Sequence, residues 1–291
     1  MTRLLLLEGA AAASLWTAAF CPAWRFVPPG AEARSRAIGP LVGAPPSLAA
    51  ALDPGKYEPM PAPRPGDWLN NHAELGQSYK EFARLRPDGL GGKTRIYLRP
   101  LSPLPSELPE RVLREFTEAF FGLPVVVTGP LDGAKLGFTT RPDPLMGRQL
   151  KTGDIFRFLE RDLPPDAFAV LGITSADLYP IRTWRFVFGQ ASPEDHVGVF
   201  STARLSADPQ RTRLRALKTM AHELGHLFGL RHCVYFRCLM NGANHLGEAD
   251  SQPLKLCPVC LRKLQRVAGF DAGKRERRLE ELLRTSRVTA R

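Results

Sequence analysis

The chain has 291 residues and a formal net charge of +11, with 44% hydrophobic and 24% charged residues. This composition excludes disorder over the whole length and suits one large domain or two small ones. Its longest weakly polar run, Gly9–Cys21, has 13 residues, short of the roughly 18 that a membrane helix needs, so no helical span is expected.

At the N-terminus, Met1-Thr2-Arg3 followed by Leu4–Leu7 and an Ala-rich run has the outline of a signal peptide. Glu8 interrupts its apolar core, and Ala18-Ala19-Phe20-Cys21 is a poor cleavage site. A short amphipathic helix and a cytoplasmic location are therefore expected, with export through this segment as the alternative. Eleven of the 27 prolines then fall between Pro22 and Pro65, which excludes long helices and central strands there. The chain divides into an N-terminal helix and Pro/Gly-rich arm over 1–92, a main folded domain over 93–270, and a basic tail over 271–291.

Regular structure is expected from about Lys93. Thr94–Arg99 alternates as a strand does. Pro109 opens a helix on which Val112, Leu113, Phe116, Ala119 and Phe120 share a face, and Gly122 ends it. Val125–Thr128 is a short β-branched strand. A second amphipathic helix starts at Asp154, carries Ile155, Phe156, Leu159 and Leu163, and stops at Pro164-Pro165. Ala167–Ile173 is an apolar run suited to a buried strand, and Trp184–Phe188 and His196–Leu205 read as further strands. One long helix from about Leu214 to Leu227 follows. The pattern predicts an α+β fold: a mixed sheet with packed helices, then a smaller C-terminal lobe.

The tail from Lys274 to Arg291 holds seven basic and three acidic side chains. No aromatics are interleaved with them, and Leu279, Leu282 and Leu283 mark a short amphipathic helix, so a solvated terminal helix is expected and a nucleic-acid partner is not.

The chemistry is concentrated in the long helix. His222-Glu223-Leu224-Gly225-His226 places two imidazoles four residues apart, hence on one side of the helix, with Glu223 beside them. Gly229 is placed to end the helix with a positive φ, which lets His232 return to the same ion. Three neutral nitrogens leave a tetrahedral Zn²⁺ with one position open for water. The full His-Glu-x-x-His-x-x-Gly-x-x-His string arises by chance in about one in 10⁵ such sequences. His72, His196 and His245 have no comparable support and read as surface or satisfied histidines. Four cysteines follow: Cys233, Cys238, Cys257 and Cys260. A tight quartet inside a long chain reads as a closed, structural zinc site that pins the segment after His232 to a helix over Cys257–Val267. Cys21 stands apart from it.

The extended histidine string followed by a methionine is the metzincin signature. Its continuation into Cys233, Cys238-Leu239-Met240 and Cys257-Pro258-Val259-Cys260 resembles the archaemetzincins, a subgroup of those zinc peptidases. Asp166-Ala167-Phe168, Gly172-Ile173-Thr174, Asp177-Leu178-Tyr179-Pro180, Phe186–Ala191 and Asn244-His245-Leu246 are similar too, with fainter echoes at Gly66-Asp67-Trp68 and Ala19–Ala23. The resemblance covers roughly 150–270. It implies a two-lobed metzincin-like fold and a zinc peptidase domain over 93–270. His222, His226 and His232 would bind catalytic zinc, with Glu223 as general base and Met240 beneath the metal. The cysteines would bind a second zinc, and Val197–Ala203 would be an edge strand that aligns substrate. Gly242 stands where some metzincins have a tyrosine, and His245 is the candidate replacement donor. The expected protein is a monomeric metallopeptidase acting on peptides or proteins. The alternative is a zinc-stabilised interaction module with a vestigial site.

Overall fold

The computed structural model describes residues 25–85 and 89–285. The signal-like segment and Cys21 lie outside these residues. Regular structure begins earlier than position 93, with four short helices: α1 (Ala31–Ile38), α2 (Pro46–Ala51), α3 (Trp68–Asn71) and α4 (Tyr79–Leu85). Proline and glycine mark their limits, as at Pro45-Pro46 where α2 begins and Gly39 after α1. Each buries only one or two large side chains, such as Ile38, Leu48, Leu69 and Phe82, too few to show a period in the sequence.

The main domain then follows in order: β1 (Arg95–Pro100), α5 (Glu110–Phe121), β2 (Val125–Val127), β3 (Thr140–Asp143), β4 (Gly147–Lys151), α6 (Thr152–Arg161) and β5 (Ala167–Thr174). After these come β6 (Asp177–Tyr179), β7 (Gly189–Ser192), β8 (Val197–Ser201), α7 (Pro209–Leu227), α8 (Leu246–Ser251), α9 (Pro258–Ala268) and α10 (Ala272–Thr285). Helix α5 has the expected limits, with Gly122 left-handed at φ 72°. Helix α7 starts five residues before the expected Leu214, because Asp208 caps it by accepting the Arg211 N–H at 3.0 Å and Pro209 fits its first turn.

The principal sheet has strand order β2-β1-β5-β8-β7. The first four are parallel, and β7 runs antiparallel to β8. Helices α5 and α7 cover one face and α6 the other, so β5 is buried along its whole length. A second sheet, β3-β4-β6, flanks this core.

Three expectations are corrected. Trp184–Phe188 is not a strand: only Val187 makes a bridge, to Leu178. The carbonyls of Arg182, Trp184 and Arg185 are taken by the Arg141 guanidinium at 3.1, 2.5 and 2.8 Å, which removes them from any ladder. The edge strand is β7, since Val197–Ser201 lies between β5 and β7 and is buried throughout. The described part of the basic tail, α10, is the expected amphipathic helix but is not simply solvated: Leu279 and Leu283 pack on the core, and the Arg275 guanidinium stacks over Phe120 at 4.5 Å and Phe270 at 5.3 Å. Among the described residues no helix is long and apolar enough to cross a membrane.

Arg275 Nε also donates to the Phe120 carbonyl at 2.7 Å. Arg275→Ala would orphan that acceptor and remove the stacking, and should lower stability by about 1–3 kcal/mol. Urea denaturation measures the loss, and an unchanged midpoint would show α10 to be energetically idle.

Candidate active site

Helix α7 carries His222 and His226 on one side, with ring centroids 4.6 Å apart. Gly229 has φ +85°, in the region that disfavours side chains with a β-carbon, and the Leu230 N–H closes on the Gly225 carbonyl at 3.1 Å. The reversal returns His232 to within 5.3 and 5.0 Å of the other two rings. One nitrogen from each of the three lies within 4.8 Å of the others, and the His222 and His226 Nε2 atoms are 3.0 Å apart. Tetrahedral zinc at 2.0–2.1 Å from each nitrogen needs separations of about 3.3 Å. The donor set fits.

The ring orientations are enforced. His222 Nδ1 lies 2.8 Å from the Leu239 carbonyl, His226 Nδ1 2.7 Å from the Leu230 carbonyl, and His232 Nδ1 2.6 Å from Glu74 Oε1. Each partner is an acceptor, so each Nδ1 carries the proton and each Nε2 presents a lone pair. Burial, reinforced by His232, lowers His222 to about 4, and burial reinforced by His222 lowers His226 well below the usual range. Both shifts favour the neutral imidazole that a metal ligand requires.

Glu223 is 6% exposed, and burial alone pushes its carboxyl up to about 8. A β-carbon built on Gly189 would meet Glu223 Cγ and Oε1 at 2.6 Å, so the first residue of β7 has to be glycine for the carboxylate to lie against this strand. A β-carbon on Gly225 would meet Met240 Sδ at 2.5 Å, so the methionine packs directly against α7 at the residue before His226.

The four cysteines form a second cluster. All are buried, their sulfurs lie within 4.8 Å of one another, and Cys233 and Cys257 Sγ are 3.5 Å apart. That is the size of a four-sulfur zinc site with zinc–sulfur bonds of 2.3 Å. The Met240 and Cys257 N–H groups donate to Cys238 Sγ at 3.4 and 3.2 Å. Burial drives the Cys257 thiol well above its ordinary range, a penalty on the thiolate that a bound cation offsets. Asn241, buried, ties the loop together: it accepts from the Cys238 N–H at 2.7 Å and donates to the Cys233 and Phe236 carbonyls at 2.6 and 3.0 Å.

The structure gives His245 other partners. Its Nδ1 accepts from the Glu248 N–H at 3.1 Å and its Nε2 faces Asp67 Oδ1 at 3.3 Å. The space above Gly242 is filled by the Trp68 indole, which a β-carbon there would meet at 2.5 Å. Trp68 stacks on His72 at 3.7 Å, meets the His232 ring edge-on at 5.0 Å and faces Trp184 at 6.5 Å. His72 thus flanks the site, whereas His196 is satisfied by the Phe168 carbonyl at 2.8 Å. Glu74, Trp68 and Asn241 were not singled out by sequence reasoning. Only the Gly66-Asp67-Trp68 echo pointed toward this wall.

A helix-borne histidine pair, a third imidazole after a glycine reversal and a methionine packed against the helix define the class: a zinc metallopeptidase. The model of Peptidase family M54 matches residues 159–266, which contain both clusters. The chain is 38% identical to Archaemetzincin-2 of Rattus norvegicus over 265 residues, 77% of this chain and 74% of that one. It is 36% identical to Archaemetzincin-2 of Homo sapiens over 264 residues, 77% and 73% of the two chains. A solved archaemetzincin from Methanopyrus kandleri is 28% identical, with a TM-score of 0.50, and covers 62% of this chain and 98% of that one. The chain belongs to the archaemetzincin family.

Asn241→Ala removes three buried hydrogen bonds from the loop shared by both clusters. It should destabilise the fold by about 3 kcal/mol, read as a shift in the denaturation midpoint. A loss under about 0.5 kcal/mol would contradict the bracing role.

Proposed function

We propose that His222, His226 and His232 hold a catalytic zinc through Nε2, that the four cysteines hold a second, structural zinc, and that Glu223 is the general base in peptide-bond hydrolysis. The observation that carries this reading is the set of three Nδ1 acceptors, which leaves three lone pairs converging on one point. Zinc in such a site lowers the pKa of water toward 7 and polarises the scissile carbonyl.

The protein's own groups do the rest. Glu223, fixed against Gly189, accepts a proton from the attacking water and can return it to the leaving amine. No Ser or Cys nucleophile lies in the motif, so water attacks without a covalent intermediate. Strand β7 is the sheet edge and passes over Glu223, so an extended substrate can pair with its main chain and be held across the histidines. The substrate is a peptide or protein.

Glu223→Ala should keep both zinc ions and lose at least a hundredfold in peptidase activity, measured on a peptide library with metal analysis of the same sample. Wild-type activity in that variant would refute the base assignment. Cys257→Ser should release about one zinc and lower the melting temperature, whereas His226→Ala should abolish activity with a smaller loss of stability. Identical metal content and unfolding in the two variants would rule out two distinct sites. Gly229→Val removes no ligand, yet should weaken the catalytic zinc because a β-branched residue resists φ +85°. Chelator titration reads this directly, and wild-type retention of that zinc would end the case for the turn.

A further inference from the structure

His222 and His226 are oriented by main-chain carbonyls of the C-terminal lobe itself, those of Leu239 and Leu230. His232 is different. Its Nδ1 partner is a carboxylate, Glu74 Oε1 at 2.6 Å, 158 residues earlier in the chain. We propose that Glu74 is a positioning residue for the catalytic centre: it sets the tautomer and ring angle of His232 and supplies the negative charge behind it, which makes the segment around 67–77 part of the active site. The proposal rests on the reading of His232 as a zinc ligand.

Three observations support it. The first is geometric. Glu74 Oε1 also accepts from the Trp68 indole N–H at 2.8 Å, and that indole meets the His232 ring edge-on, so carboxylate and imidazole are held in one orientation. The second is electrostatic. Glu74 Oε2 is buried with no hydrogen-bond partner, and the side chain is 16% exposed. A buried carboxylate with one bare oxygen is unfavourable unless positive charge lies close by. A neutral His232 offers it only a hydrogen bond, whereas the ion that His232 helps to hold offers the charge. Three neutral imidazoles leave the full charge of Zn²⁺ uncompensated, and Glu74 is placed to reduce it through the ligand.

The third observation is that the segment is locked on both sides of Glu74. The Trp68 N–H donates to Glu248 Oε1 at 2.9 Å, and Asn244 Nδ2 donates to the Gly66 carbonyl at 3.1 Å. Gly76, at φ +73°, lies so close to the strip after His232 that a β-carbon there would meet Val234 Cγ2 at 2.5 Å. Gln77 Oε1 accepts from the buried Lys263 Nζ at 3.0 Å and from the Arg231 N–H, next to the ligand, at 3.4 Å. A carboxylate that only filled space would not need such registration.

The test uses the full chain and compares wild type, Glu74→Gln and Glu74→Ala by competition for zinc with a chromogenic chelator, alongside thermal unfolding. Glu74→Ala should bind the histidine-site zinc 10–100-fold more weakly. Glu74→Gln, which keeps an acceptor and loses the charge, should fall between the two, and the cysteine-bound zinc should be unchanged in both. A folded variant pair with wild-type affinity at the histidine site overturns the proposal, even where melting is lowered, since that is the signature of a merely structural contact. Should Glu74→Ala fail to fold, Glu74→Gln decides alone by the same criterion. Failure of the underlying reading is distinguishable: if wild type holds no zinc that His232→Asn releases, the three-histidine site itself is wrong and the proposal falls with it.

Discussion

Everything in the C-terminal lobe depends on the juxtaposition of His232 and Cys233. Consecutive side chains point to different clusters, so the two donor sets sit back to back and share one short loop. Leu239 turns its carbonyl to His222, Cys238 joins the sulfur quartet, and Met240 lies under Gly225 while its own carbonyl accepts from the Cys233 N–H at 2.7 Å. None of these groups can move alone. This part of the chain also buries Phe228, Phe236, Leu239, Leu256 and Leu264 in the main core, and a metal held by the cysteines, as proposed, would add to that packing because metal binding at a closed site is folding free energy. The same cross-link holds the acceptor that orients the first histidine.

The cleft side of α7 is governed by a different constraint, close approach of backbone to side chain. Glu223 is buried against Gly189, and any larger residue at that position would displace its carboxylate. Gly189, the first residue of β7, therefore serves the strand's position more than its stability. A carboxyl desolvated in this way resists ionisation, and a cation within reach restores it. Burial and charge would thus be set in opposition around the residue proposed as the general base.

Where the sequence was legible, the physics was local. Helix α5 and strand β5 follow from periodicity and a continuous apolar run, and the histidine spacing follows from the pitch of α7. What stayed hidden was set by distant partners. Trp184–Phe188 has the composition of a strand, yet Arg141 captures its carbonyls. The arm helices bury isolated residues against α9 and α10, which no local pattern reveals. Reading β8 as the edge failed for the same reason, since strand order depends on β7, whose Gly-Gln-Ala-Ser sequence carries no strand signal. Glu74 is one carboxylate among many until the fold brings it to His232.

The three acceptors that orient the histidines come from three different parts of the chain: the turn after α7, the methionine loop and the N-terminal segment. The segment that carries Glu74 is itself fixed by Glu248 and Asn244, which follow the cysteine loop, and by Lys263 on α9. The orientation of the three rings therefore draws on contacts from all of these segments. Helical pitch places two of the histidines and the reversal at Gly229 the third, and the arm then sets a carboxylate behind that third ring. Whatever ion the site prefers then binds the native state over its precursors, and stabilises it in proportion to that preference. On the proposed reading, ligation by three oriented histidines is favoured by the assembled fold, which would link hydrolytic competence to complete folding.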